Sequence, residues 1–178
     1  MKNPIKTKKA QFYILTAIML IAYATLLLQS ENVTPGSSKA FSKAYDNFVF
    51  ESSAAINNAL FEQADVNQEY ERFLDSFISY SKMKKLNVQV FSVLETGDMV
   101  YLSNKMPNPV EIINLNQTLP PDTNTYFARE NLSNLVLEVR DDVFHENIYK
   151  FTISNQGTEA KAVLRIRKGA NRQIFVMD

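Results

Sequence analysis

The 178-residue chain contains no cysteine, a single histidine and only four glycines. Each scarcity excludes a class of chemistry. Without cysteine there is no disulfide framework, no thiol nucleophile, no iron–sulfur cluster and no zinc–thiolate site, so any folded region must stand on packing alone. With His145 as the sole imidazole, every His-based triad would have to use it. Four glycines leave no phosphate loop, no dinucleotide-binding cluster and no Gly-x-Ser-x-Gly elbow. The one concentration of metal-ligand types is Asp141-Asp142-Val143-Phe144-His145-Glu146. It has neither the second histidine of a zinc motif nor the alternating acids of a calcium loop, and it reads as a solvated acidic turn. The expectation is therefore a protein that is not an enzyme, with no catalytic residue, no cofactor and no metal.

Charge is balanced at nineteen basic and nineteen acidic side chains, but unevenly placed. Lys2, Lys6, Lys8 and Lys9 fall in the first ten residues, which leaves the remainder at a net of −4. A mildly acidic body with no basic–aromatic motif argues against nucleic acid as a partner. Hydrophobic residues make up 46% of the chain, enough at this size for one anchor and one ordinary domain.

The longest hydrophobic run, Phe12 to Leu28, has no charge, proline or glycine. As a helix it spans roughly 26 Å, at the short end for a bilayer, and satisfies its own backbone polar groups. Lysines precede it, while Gln29, Ser30 and Glu31 follow. Positive charge is retained inside, so the chain beyond the run is expected outside the cytoplasm. A buried core helix would keep a polar stripe, which this run lacks. A cleaved secretory signal could end at Ala22-Tyr23-Ala24, yet Thr25 to Leu28 carries the apolar run through that point. The expected organisation is a basic leader (1–10), a transmembrane helix (11–29), a linker (30–38) and an extracytoplasmic domain (39–178).

The junction Lys8-Lys9-Ala10-Gln11-Phe12 resembles the class III signal peptide of archaeal type IV pilins and related surface proteins. That resemblance implies cutting of the Ala10–Gln11 bond by a prepilin-type peptidase on the cytoplasmic side, with Lys8, Lys9, Ala10 and Gln11 as the processing residues. The hydrophobic helix would then remain as membrane anchor or filament core, with membrane lipid, pilins or surface-layer proteins as partners. Two positions depart from the family pattern. Leu15 occupies the fifth mature position, where many pilins carry Glu, and Pro35-Gly36 breaks the helix that pilins tend to continue. The leading expectation is a pilin-like, single-pass surface protein, a minor component of a filament or related assembly. The alternative is a binding module on a fixed anchor with no filament role. The Lys-Lys-Ala-Gln start, two Phe- and Tyr-rich helices and a β region also resemble a group of small archaeal surface proteins.

Beyond the linker, Phe41, Ala44, Tyr45, Phe48, Ile56, Ala59 and Leu60 keep helical spacing, predicting a helix from Lys39 to about Ala64. Tyr70, Phe73, Leu74, Phe77 and Ile78 predict a second to about Lys85, with Lys82, Lys84 and Lys85 suiting its C-terminal end. From Leu86 the period becomes two. Strands are predicted near 87–94, 99–102, 110–115, 135–140, 148–153, 160–166 and 173–176, with Thr96-Gly97-Asp98 and Lys168-Gly169-Ala170-Asn171 as tight turns. The Pro120-Pro121 region, rich in Asn and Thr, reads as a loop to about Leu132. The class is α+β: two amphipathic helices, then an antiparallel sheet or sandwich of about seven strands. Asn32, Asn116 and Asn131 each open an Asn-x-Ser/Thr sequon in or beside a predicted loop, and are candidate N-glycosylation sites.

Overall fold

The computed structural model describes residues 35–132, 134–140, 146–154 and 157–178. The chain divides into two compact units, residues 1–38 and Lys39–Asp178. The second is α+β. Two helices, α1 (Pro35–Phe61) and α2 (Val66–Met83), precede nine antiparallel strands. These are β1 (Asn87–Thr96), β2 (Met99–Lys105), β3 (Val110–Ile112), β4 (Gln117–Leu119), β5 (Thr123–Ala128), β6 (Asn134–Arg140), β7 (Glu146–Thr152), β8 (Glu159–Lys168) and β9 (Asn171–Met177). They form a five-stranded sheet, ordered β5-β2-β1-β8-β9, and a four-stranded sheet, ordered β4-β3-β6-β7.

Helix α1 opens on Pro35, where the missing N–H costs nothing and the fixed φ suits the first turn. Part of the predicted linker is thus helical. Asp65 caps α2 by accepting from the N–H groups of Asn67 (3.0 Å) and Gln68 (3.2 Å). Its buried stripe, Tyr70, Leu74, Phe77 and Ser81, follows helical spacing. Phe41, Ala44, Phe48 and Ile56 of α1 join it over one face of the five-stranded sheet. Phe48 meets Phe77 edge-on at 5.2 Å, and Tyr45 stacks on Phe175 of β9 at 4.7 Å while its hydroxyl donates to Val176 O.

Strand β1 is buried almost throughout, because both faces of its sheet are covered. Val88, Val90 and Leu94 face the helices, whereas Phe91 and Val93 enter a second core with Val110, Ile112, Leu119 and Phe151 of the four-stranded sheet. The layers run helices, sheet, sheet. Two-residue connections at Gly97-Asp98 and Gly169-Ala170 close the β1–β2 and β8–β9 hairpins, with positive φ at both glycines.

The predicted loop after Pro121 holds a strand. Thr123–Ala128 pairs with β2 from Met99↔Ala128 to Asn104↔Thr123, forming the edge of the five-stranded sheet. The predicted third strand ends at Ile112, where Ile113–Leu115 makes a 3-10 turn before β4. No helix among the described residues is long and apolar enough to cross a membrane. The expected span, Phe12 to Leu28, lies outside the described residues.

Candidate functional site

Antiparallel pairing brings together the start of β1, the end of β2, the start of β5 and the β8–β9 turn, as the registers Asn87↔Arg167, Asn104↔Thr123 and Lys168↔Asn171 require. The C-terminal end of α2 reaches the same pole. Between these elements lies a groove of about 770 Å³, lined by Lys82, Lys85, Lys105, Arg167 and Lys168, with Asp122 as its single carboxylate residue. A cleft of about 350 Å³ adjoins it between the first turns of α1 and the last of α2, where Ala40 and Lys43 meet Tyr80, Lys84 and again Lys168.

The lysines differ in their engagement. Lys105 is held by Glu71 of α2 at 2.5 Å and Asp75 at 2.8 Å. Burial works to lower its pKa, but the bonds to Asp75 and Glu71 outweigh that and hold the ammonium above its ordinary value. Lys82, Lys85 and Lys168 are exposed and make no salt bridge among the described residues. Lys84 lies over the Tyr80 ring at 5.3 Å.

The opposite pole is acidic, with Glu95, Asp98, Glu159 and Asp178 gathered at the other strand ends. Glu95 is fully buried and pairs with Arg129 Nη2 at 2.8 Å. Arg129 also donates to the carbonyls of Ser154 (2.6 Å), Gly97 (2.8 Å) and Gly157 (3.1 Å). Lys161 faces Asp178 (3.1 Å), Glu159 (3.5 Å) and Glu95 (4.0 Å). One guanidinium thus binds two connections, β1–β2 through Gly97 and β7–β8 through Ser154 and Gly157, to a buried carboxylate.

A third polar cluster docks α2 on β2. Tyr101 donates to Glu71 Oε2 at 2.6 Å, and Ser103 approaches Oε1 at 3.4 Å. Burial and the Glu71 carboxylate push the Tyr101 phenol far above its usual range. Burial does the same to Tyr70, whose hydroxyl lies beside Ser92 although neither oxygen makes a hydrogen bond of good geometry. Phenols and an ammonium that keep their protons so firmly are poor acids near neutral pH, and Glu71 is occupied by Tyr101, Ser103 and Lys105. The cluster is suited to holding a helix in place.

The processing residues Lys8, Lys9, Ala10 and Gln11, the sequon residue Asn32 and the segment Asp141 to His145 lie outside the described residues. Asn116 is exposed at φ 50°, ψ 43°, between the 3-10 turn and β4. Asn131 ends the second 3-10 turn, Arg129–Asn131. The structure does not bring Asn116 and Asn131 into a common site with the basic groove. Among the described residues no three His, Asp or Glu side chains are grouped to hold a metal ion. In the sequence Lys82, Lys84 and Lys85 suit a helix end and Lys168 falls in a tight turn, while nothing marks Lys105 or Arg167 as their neighbours. Their convergence depends on strand register, and only the two glycine turns hinted at it. No family model, no curated protein and no solved structure matches the chain.

Proposed function

We propose that the chain is a pilin-like, single-pass membrane-anchored surface protein, processed before Gln11 and carrying the domain of residues 39–178 outside the cytoplasm. It acts through contacts and not through catalysis, alone or as a minor subunit of a filament. The observation that carries this reading is the uncharged run Phe12–Leu28 behind Lys8-Lys9-Ala10-Gln11. The non-catalytic part is supported by Tyr101, Glu71, Glu95 and Arg129, whose polar groups are engaged in binding helix to strand and loop to loop. Exposed Asn116 offers a glycan acceptor on the second sheet.

A second reading, a fixed anchor with no filament role, is favoured by Pro35. Proline lacks the N–H that a continuous helix would need and is followed by Gly36, whereas a filament core calls for a helix continuous with the hydrophobic segment. Mass spectrometry of the N-terminal peptide from native membranes tests the processing. A mature start at Gln11 is expected. A start at Thr25 would mean a released protein and overturn the anchor, and an intact Met1 would leave an unprocessed signal-anchor. Recovery in sheared surface fibres, as opposed to the membrane fraction, separates filament subunit from fixed module.

A further inference from the structure

We propose that the basic pole of the domain is a membrane-docking surface, whose groove receives the phosphate-bearing headgroups of anionic lipids in the bilayer that holds the anchor. The inference rests on the anchored reading above and deepens it.

Charge is segregated along the strand direction. Lys82, Lys84, Lys85 and Lys168 gather at one end, and Glu95, Asp98, Glu159 and Asp178 at the other. Complementing the α2 C-terminus explains a lysine or two in its last turn. It does not explain Lys168, which comes from the β8–β9 turn, or Lys43, which comes from α1. Nor does it explain why these cations converge on a groove instead of fanning into solvent.

The pole is also amphiphilic. Tyr80 is 48% exposed and Met83 is 74% exposed, interleaved with Lys82, Lys84 and Lys85. An aromatic and a thioether set among lysines suit the boundary between headgroups and acyl chains, where long cationic side chains extend to phosphate.

Chain length supplies the third argument. Ala40, Lys43, Ala44 and Asn47 in the N-terminal half of α1 line the cleft that adjoins the groove, so the chain enters the domain from the side of the basic pole. Between Leu28 and Lys39 lie residues 29–38, the last four of them in α1. Six residues can span no more than their fully extended length, so with one helical turn the reach is at most roughly 27 Å. A tether that short holds the pole at high effective concentration beside the headgroups, so weak attraction per lysine suffices. Among the described residues the opposite pole has no such cluster of exposed lysines, since its Arg129 and Lys161 are engaged with Glu95, Glu159 and Asp178, which gives the domain one preferred orientation.

The test uses the full chain in nanodiscs of phosphatidylcholine alone or mixed with phosphatidylglycerol. Lys82, Lys85 and Lys168 are acylated with a water-soluble reagent and read individually by mass spectrometry against exposed Lys150 of β7. Labelling of the three is expected to fall about fivefold in the anionic discs, the ratio that one lysine gains near such a leaflet, and to recover in concentrated salt. A Lys82→Glu/Lys168→Glu variant with unchanged circular dichroism should lose the protection at Lys85. Equal labelling in both discs overturns the docking while leaving the anchor intact. Protection by inorganic phosphate in neutral discs, as strong as by anionic lipid, overturns the lipid as source and leaves a soluble-anion site. Failure of the chain to enter either disc overturns the anchor itself.

Discussion

Glu95 and Arg129 are the pair on which the acidic pole depends. The carboxylate has no access to water, and its partners are the guanidinium, the Ser154 N–H at 2.8 Å and the nearby Lys161 ammonium. Replacing Arg129 with Met leaves a buried charge and three loop carbonyls without their donor. The expected cost is about 3–5 kcal/mol in urea unfolding, with part of it recovered in the Glu95→Gln/Arg129→Met double variant. Tyr70 and Tyr101 give a prediction against pH. Their phenols are held above the ordinary value in the folded chain, so the unfolded chain releases those protons first. Their contribution is therefore complete below about pH 10 and is lost as pH rises further, at about 1.4 kcal/mol per pH unit for each phenol. Lys105 and Lys161, also raised, act in the same direction. Tyr70→Phe should flatten the alkaline fall in thermal midpoint by one proton while changing stability little at neutral pH, because the hydroxyl it removes has no hydrogen bond to lose. Little of this was visible in the sequence. Glu95 and Arg129 are 34 positions apart, and nothing in the composition around either announces a partner.

The helices and strands were more legible, for physical reasons that differ between them. Apolar spacing located α1 and α2 because each buries one continuous stripe, and the glycine turns located β1–β2 and β8–β9 because positive φ favours glycine. Strand β5 has the sequence of a loop because Pro120-Pro121 and a run of Thr and Asn carry turn propensity. As an edge strand it buries only part of its surface, so it shows little of the hydrophobic signal that marks a central strand. What holds it in register is Asn104, a buried residue of β2. Its amide nitrogen faces the carbonyls of Asn108 (3.0 Å), Leu119 (2.9 Å) and Pro120 (3.1 Å), and its Oδ1 accepts from Met106 N at 2.9 Å. Asn104→Ala should cost about 1–3 kcal/mol by leaving those groups unsatisfied. Hydrogen exchange should quicken in β5 ahead of β1 and β8, and uniform acceleration across the sheet would contradict this role. The exposed sequon at Asn116 belongs to the same stretch, at a left-handed position that asparagine tolerates better than most residues.

Across the molecule, the basic groove illustrates what local reading misses. Each contributing lysine looks like an ordinary solvated charge in its own segment, and only the alternation of strand direction collects them at one end. The same pairing also governs when the domain is able to form. Strand β1 begins at Asn87, yet its partner across the middle of the sheet is β8, with Gln89 opposite Arg165, 76 positions later. Both cores draw on β8, through Leu164 and Ile166 on one side and Val163 on the other. A nascent chain that has delivered α1, α2 and the β1–β2 hairpin holds most of the first core but only Phe91, Val93, Val100 and Leu102 of the second, and β1 still lacks its neighbour β8. Closure must wait for residues 159–177. On the outward topology proposed above, that delay would be an advantage: the polypeptide would stay threadable until its last strands had crossed, and lock only on the far side.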